Sequence, residues 1–175
     1  MCQFSSHPTR PTLSDYLTIP NIYPAGRLDA DSEGLVLLTD DGKLQHAISH
    51  PDHKQTKTYL VQVEGIANQH ALQTLREPLN LGDFVTQQCE VKQIYEPEWL
   101  WPRNPPIRSR LSMPTSWLAI TLSEGKNRQV RRMTGAVKLP TLRLVRISIG
   151  AISLQTHPLL PGEWMEISAS ELGLR

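Results

Sequence analysis

One stretch of the chain predicts a strand, a helix and a second strand in succession, and so indicates the fold: WLAITLSEGKNRQVRRMTGAVKLPTLRLVRISIG, residues 117–150. Trp117–Ser123 and Leu142–Ile149 carry the apolar and β-branched residues that are typical of strands. Between them, Asn127–Val137 is predicted as a basic amphipathic helix, whose inward residues are Val130, Met133 and Val137.

Outward from this stretch, the chain predicts more strands than helices, with no regular alternation of the two. The further predicted strands are Gly34–Thr39, Thr58–Glu64, Val85–Tyr95 and Glu163–Ser168, and the further helices are Leu13–Leu17, Lys43–Ser49 and Ala67–Arg76. Prolines in Glu96–Pro114 exclude a regular strand there. This order predicts an α+β fold with a mixed, largely antiparallel sheet, formed as a single domain over residues 1–175.

Charge is strongly segregated along the chain, although the net charge is only +1. Between Trp101 and Gly150 there are ten basic residues and one acid, Glu124, so this stretch carries +9; the remaining eight bases and sixteen acids give −8. The basic residues are Arg103, Arg108, Arg110, Lys126, Arg128, Arg131, Arg132, Lys138, Arg143 and Arg146. Such segregation indicates a face that binds a polyanion; a solvated basic surface without a ligand is the alternative.

An acidic cluster precedes the apolar run at Gly34. Asp29, Asp31 and Glu33 fall within five residues, directly before a segment predicted to be a buried strand. A carboxylate at the mouth of a buried strand is a common position for a nucleophile or a general base. A turn whose acids only cap the backbone is the structural alternative.

Other chemistries fit these residues less well. The spacing of the cluster, with Asp40 twelfth, imitates a calcium loop, but the flanking helices and the final Glu are missing. A glycosidase with two carboxylates remains an alternative, although nothing else indicates a sugar groove. His46, His50 and His53 resemble a metal cluster, but Pro51 ends the helix between the second and third of them, so surface histidines are favoured.

Three segments together resemble a known family. GRLDADSEGLVLLTDDG (26–42), KTYLV (57–61) and EGKNRQVRRM (124–133) followed by LRLVRISIG (142–150) are similar to the motifs of the RNA pseudouridine synthases of the ribosomal small-subunit synthase A type. The stretch from Glu96 to Arg146 resembles members that modify 23S ribosomal RNA and lack an S4-like domain. We expect no such domain here, and we expect this chain to lack the family's first N-terminal strand. The family also favours Gly where Lys138 stands.

The resemblance implies roles for particular residues. Asp29 is the essential carboxylate, which must be ionised and close to the ribose whether it attacks C1′ or removes the 2′ proton. Arg131 is its charge partner, with a phosphate contact as the alternative. Tyr59 packs against the flipped base, unless it is an ordinary core residue. Arg27 fills the gap left in the RNA or contacts a phosphate. The remaining predicted RNA-binding residues are Arg103, Arg108, Arg110, Lys126, Arg128, Arg132, Arg143 and Arg146.

The predicted activity is therefore the isomerisation of a uridine in 23S ribosomal RNA, free or in a large-subunit assembly intermediate, without a cofactor or metal. A catalytically inactive RNA-binding domain that uses the same basic face is the alternative. Cys2 and Cys89 form no disulfide framework, and the first residues contain no apolar signal segment, so we expect a cytoplasmic monomer away from membranes.

Overall fold

A computed structural model describes residues 1–49, 55–107 and 112–173. Its main sheet has six strands: β2 (Glu33–Gly34), β4 (Lys57–Glu64), β5 (Glu90–Ile94), β6 (Thr115–Leu122), β7 (Thr141–Ile149) and β8 (Ile152–Ser153). The strand order is β2-β7-β4-β6-β5, with β8 also paired to β7. Only the β2–β7 pair is parallel among these pairs. The predicted α+β fold with a mixed, largely antiparallel sheet is confirmed.

A separate two-stranded sheet pairs β1 (Tyr23–Pro24) with β3 (Leu38–Thr39). The helices are α1 (Gly42–Ser49), α2 (Gln69–Arg76) and α3 (Gln129–Ala136), with short 3-10 helices at Leu13–Asp15 and Ala169–Leu172. No helix in the described part of the chain is long and apolar enough to cross a membrane.

Both faces of the main sheet are covered, which explains why its central strands are apolar almost throughout. On one face, Val61, Leu118 and Leu144 pack with α2 and α3. On the other face, Leu60, Trp117 and Val145 pack with Leu100 from the proline-rich segment. Because β4 and β7 lie in the middle of this double-sided core, residues that project from their ends are held on a rigid support.

Three predicted strands differ from the observed ones. Gly34–Thr39 is not one strand, because its first residue pairs with β7 and its last two pair with β1. Val85–Tyr95 forms a ladder with β6 only over Glu90–Ile94. Glu163–Ser168 is not a strand: no described strand pairs with it, and Ser168 instead caps the last 3-10 helix. The strands predicted around 58–64, 117–123 and 142–149 and the three main helices are confirmed within a few residues.

Gly34 is the point at which β2 meets β7. Its φ is +105°, and a Cβ atom placed there would lie 2.2 Å from the carbonyl oxygen of Arg146. The next residue, Leu35, donates its backbone N–H to that same oxygen at 2.8 Å. Only glycine combines this backbone conformation with such a close approach, so Gly34 sets where the acidic cluster lies against the sheet.

We expect Gly34→Ala to lower the free energy of unfolding by at least about 2 kcal/mol, because the residue becomes both strained and overlapped by backbone. Gly135→Ala is the matched control, since a Cβ at this position in α3 meets no atom within 4 Å. The control should be stabilised by roughly 0.5–1 kcal/mol. Urea unfolding of both variants measures the difference, and equal stabilities would contradict the role given to Gly34.

Lys138 lies just beyond the end of α3 and has the left-handed backbone conformation, with φ +61°. Its backbone N–H donates to the carbonyl of Gly135 at 3.0 Å, as is common just beyond a helix end. This conformation accounts for the glycine that the resembling family favours at this position, because a side chain there is strained. We expect Lys138→Gly to raise the free energy of unfolding by about 0.5–1 kcal/mol. A decrease measured by urea unfolding would show that the lysine side chain stabilises the turn.

Candidate active site

Asp29 lies in the loop of residues 26–32, which we call the Asp29 loop, between β1 and β2. Its carboxylate is 32% exposed, and the nearest cation is Nη1 of Arg128 at 3.8 Å. The loop makes one internal turn, in which Ser32 donates its N–H to the carbonyl of Asp29 at 3.0 Å. Asp29 is thus accessible from outside and lies beside a positive charge.

The buried side chain of Arg146 holds the Asp29 loop from below. Its Nε donates to the carbonyl of Leu35 at 2.9 Å, and its Nη1 donates to the carbonyl of Arg27 at 3.4 Å. These two carbonyls flank Asp29 in the sequence. Arg146 is only 3% exposed, and its Nη2 is buried with no hydrogen-bond partner among the residues that the structure describes. The backbone on both sides of Asp29 is therefore tied to strand β7.

Asp31 organises the two arginines above the loop. Arg128 donates to both of its carboxylate oxygens, at 3.0 and 2.9 Å. Arg131 donates to its backbone carbonyl at 2.7 Å, and Arg131 Nε lies 3.5 Å from its Oδ2. The predicted ion pair between Arg131 and Asp29 is absent from the part of the chain that the structure describes. Arg131 ion-pairs with Asp31 there, and Arg128 ion-pairs with both Asp29 and Asp31.

These pairings stabilise the charged forms of the side chains. The hydrogen bonds from Arg128 hold the pKa of Asp31 below its usual value and raise the pKa of Arg128 itself. Burial lowers the pKa of Arg131, while the charge of Asp31 and, more weakly, that of Asp29 oppose this shift. The Asp29 loop therefore lies in a field of two guanidinium groups, one of which is shared between two carboxylates.

Tyr59 occupies β4 on the strand neighbouring Arg146, to which it is directly paired. It is half-buried and packs against the core cluster that contains α2 and α3. Cross-strand partners project from the same face of a sheet, so Tyr59 and Arg146 project on the α3 side. The strand order thus brings Tyr59 to the same side of the sheet as Arg131.

The predicted RNA-binding residues separate into surface and interior groups. Arg27 and Lys126 are exposed, and Arg128 is about half-exposed, at 46% for its side chain. Arg103 is largely buried and donates to the carbonyl of Leu142 at 3.0 Å. Arg108 and Arg110 lie outside the described residues.

Arg143 and Arg146 are both only 3% exposed and donate hydrogen bonds inside the protein, so phosphate contacts by these two residues remain a prediction that their burial disfavours. Arg132 is also committed internally. Its guanidinium pairs with the carboxylate of Asp83 and lies over the ring of Phe84, 4.7 Å from the centroid. These arginines hold loops and strands together.

Glu33 is a site residue that the sequence does not single out. Its carboxylate accepts two hydrogen bonds from Arg143 and one from the indole N–H of Trp101. For Asp31 the sequence likewise indicates other roles: a calcium ligand, a glycosidase carboxylate or a capping residue. The sequence signal that could have indicated these two acids is the excess of arginine in residues 101–150, because buried arginines need carboxylate partners.

The alternative metal sites are not assembled in the described residues. No three His, Cys, Asp or Glu side chains group there in a way that could hold a metal ion. The carboxylates of Asp31 and Glu33, which the calcium pattern requires, are bonded to arginines. His50 and His53 lie outside the described residues.

Comparison with known proteins indicates the family to which this site belongs. The chain matches the family described as RNA pseudouridylate synthase over residues 4–136. It is 51% identical over 168 residues to ribosomal large subunit pseudouridine synthase E of Vibrio vulnificus, covering 96% of this chain and 70% of that protein. The protein of the same name from Xanthomonas campestris is 51% identical over 166 residues, covering 94% and 88%.

A solved structure of a pseudouridylate synthase superposes on the chain with a TM-score of 0.75 at 29% sequence identity. The match covers 93% of this chain and 64% of that one. The predicted fold and the predicted enzyme class are both confirmed by these likenesses. With a matched segment that includes the Asp29 loop, Tyr59 and Arg131, the chain belongs to the RNA pseudouridylate synthase family.

Proposed function

We propose that this protein isomerises a uridine to pseudouridine in 23S ribosomal RNA, with Asp29 as the catalytic carboxylate. It acts as one catalytic domain and as a monomer in the cytoplasm, on free RNA or on a large-subunit assembly intermediate. The relatives named ribosomal large subunit pseudouridine synthase E support this substrate. The observation that carries the catalytic assignment is that Asp29 is the one acid of its cluster whose carboxylate is not hydrogen-bonded to an arginine in the described structure.

The reaction breaks the bond between uracil N1 and ribose C1′ and forms a bond between C5 and C1′, while C5 loses a proton and N1 gains one. It changes no oxidation state, so a carboxylate and a uracil held in position are sufficient for the reaction. Asp29 is partly exposed, and Arg128 lies 3.8 Å from its carboxylate without covering it. An ionised oxygen that remains accessible is what either attack at C1′ or removal of the 2′ proton requires.

Arg131 and Tyr59 complete the proposed site. Arg131 is held by the backbone of Asp31 and by the hydroxyl of Ser32, so it remains next to the Asp29 loop. A short rotation of its side chain toward Asp29 would give the carboxylate a second cation when RNA closes the site. Tyr59 is half-buried on the rigid strand β4 and provides a ring against which the flipped uracil can pack.

The RNA backbone would be held by the exposed cations around this loop. Arg27 and Lys126 are exposed, and Arg128 is partly so. Trp99 is 42% exposed and suits base stacking, whereas Trp101 is anchored through its indole N–H. Arg103 lies at the edge of this surface.

We expect Asp29→Asn to reduce the rate of pseudouridine formation by at least ~10³ while RNA binding is retained. The change preserves the shape of the side chain and removes only its charge. The measurement is incubation with unmodified 23S transcript, followed by carbodiimide treatment and primer extension to map resistant stops.

The matched control is Asp40→Asn. It removes an exposed carboxylate from the turn at the end of the sequence motif 26–42, which also contains Asp29. This variant should turn over like the wild type. Equal turnover by Asp29→Asn and the wild type would reject the catalytic assignment. A wild-type protein that binds the transcript but forms no pseudouridine would instead favour the inactive RNA-binding domain.

We expect Arg27→Ala and Lys126→Ala each to weaken RNA binding and to reduce the log–log salt slope by about 0.7–0.9 if each contacts one phosphate. Lys92→Ala is the control, because Lys92 is an exposed base on β5, at the opposite edge of the sheet from β2. Filter binding over a range of salt concentrations measures the slopes. An unchanged slope for Arg27→Ala together with slower turnover would favour a role in filling the gap left by the flipped base.

A further inference from the structure

Glu33 connects the Asp29 loop to a segment far away in the sequence. It follows this loop directly and forms β2 with Gly34. Its Oε1 accepts from Nε of Arg143 at 3.0 Å, and its Oε2 accepts from Nη2 of Arg143 at 3.0 Å. Oε2 also accepts from the indole N–H of Trp101 at 2.8 Å, and Nε of Arg103 lies 3.4 Å from Oε1.

The contacts form a closed ring of three residues. Arg143 donates to the backbone carbonyl of Trp101 at 2.8 Å, and its guanidinium lies 5.9 Å from the centre of the Trp101 ring. Trp101 is therefore held at two polar groups: its indole N–H by Glu33 and its backbone carbonyl by Arg143. The carboxylate of Glu33 is therefore one of the groups that hold Trp101 beside the site.

Burial makes this ring stiff. The side chain of Arg143 is 4% exposed and that of Glu33 is 20% exposed. Charge-assisted and bidentate hydrogen bonds in such surroundings are strong and strongly directional. Removing one member would leave a buried charge without its partner, which is more costly than losing an exposed ion pair.

We propose that Glu33 is a positioning residue for catalysis, which acts through Trp101 and Arg143 to fix the Asp29 loop against the segment Trp99–Arg103. Arg146 holds the loop backbone from below through hydrogen bonds to the carbonyls of Arg27 and Leu35. Neither bond prevents the loop from rotating about the line that joins these two carbonyls. The Glu33 ring supplies a lateral support four residues from Asp29. This inference rests on the proposed function, because it assigns the support of the same site.

The test compares Glu33→Gln, Trp101→Phe and the double variant. Glu33→Gln keeps the length of the side chain but loses its charge, and Trp101→Phe removes the indole N–H while retaining an aromatic ring. We expect Glu33→Gln to lower the single-turnover rate about 10–100-fold, because small misplacement of a catalytic group has effects of this order. The RNA dissociation constant should change less than about threefold, since no exposed cation is altered.

Trp101→Phe should lower the rate by a few-fold, and the double variant should be no slower than Glu33→Gln alone. Such non-additivity is the mark of residues that act through one network. Additive losses would overturn the proposal, as would a wild-type rate for Glu33→Gln. Glu90→Gln, which removes an exposed acid from β5, is the control for loss of one negative charge.

Hydrogen exchange gives a readout that does not depend on turnover. In both single variants the amides of residues 27–33 and 99–103 should exchange faster together, with those of β4 and β6 unchanged. A slower rate without altered exchange would mean that Glu33 acts in some other way and would overturn the positioning role. If Glu33→Gln fails to fold, Trp101→Phe decides: unchanged exchange at 27–33 rejects the proposal.

The two proposals fail in distinguishable ways. A wild-type protein that forms no pseudouridine on the transcript would reject the proposed function, whereas the exchange measurement would still support or reject the link between the two segments. Normal wild-type turnover with an unaffected Glu33→Gln variant would reject only the positioning role.

Discussion

The guanidinium of Arg146 is the group on which the rest of the site depends. It lies beneath the Asp29 loop and donates to carbonyls on both sides of Asp29, while its own strand, β7, is paired with β2 on one side and with the central strand β4 on the other. Gly34 approaches the backbone of the same residue so closely that no side chain fits. Side-chain and backbone contacts to one residue thus place the loop, and the double-sided core keeps that residue still.

Charge segregation in the sequence has a different meaning once the chain is folded. Many of the arginines between Trp101 and Gly150 do not form a free basic surface, because acids from distant segments neutralise them. Glu33 pairs with Arg143 and Arg103, Asp31 pairs with Arg128 and Arg131, and Asp83 pairs with Arg132. A long polyanion would therefore meet a smaller cationic surface than the count of charges indicates.

The sequence was sufficient for the regular elements and insufficient for the partners. Strands β4, β6 and β7 and helix α3 have periodic apolar patterns that depend on local geometry, so they were predictable. The apolar run after Gly34 was misleading, because two short segments of it pair with two different strands, and pairing is not a local property. Asp29 and Tyr59 followed from the motifs, but Asp31 and Glu33 acquire their roles only from arginines about a hundred residues away, which no local pattern reveals.

The three acids of one short segment illustrate how folding divides chemically equal groups. Glu33 is surrounded by donors and has no free oxygen to offer a substrate, and Asp31 is bound by two arginines. Asp29 has a single ion pair, at 3.8 Å, and remains partly exposed. Because the oxygens of these two neighbours already accept strong hydrogen bonds, they are suited to support, and Asp29 is the acid of the three that is left for the catalytic role proposed above. The same arginines that bind these two neighbours also surround Asp29, because Arg128 reaches both Asp31 and Asp29.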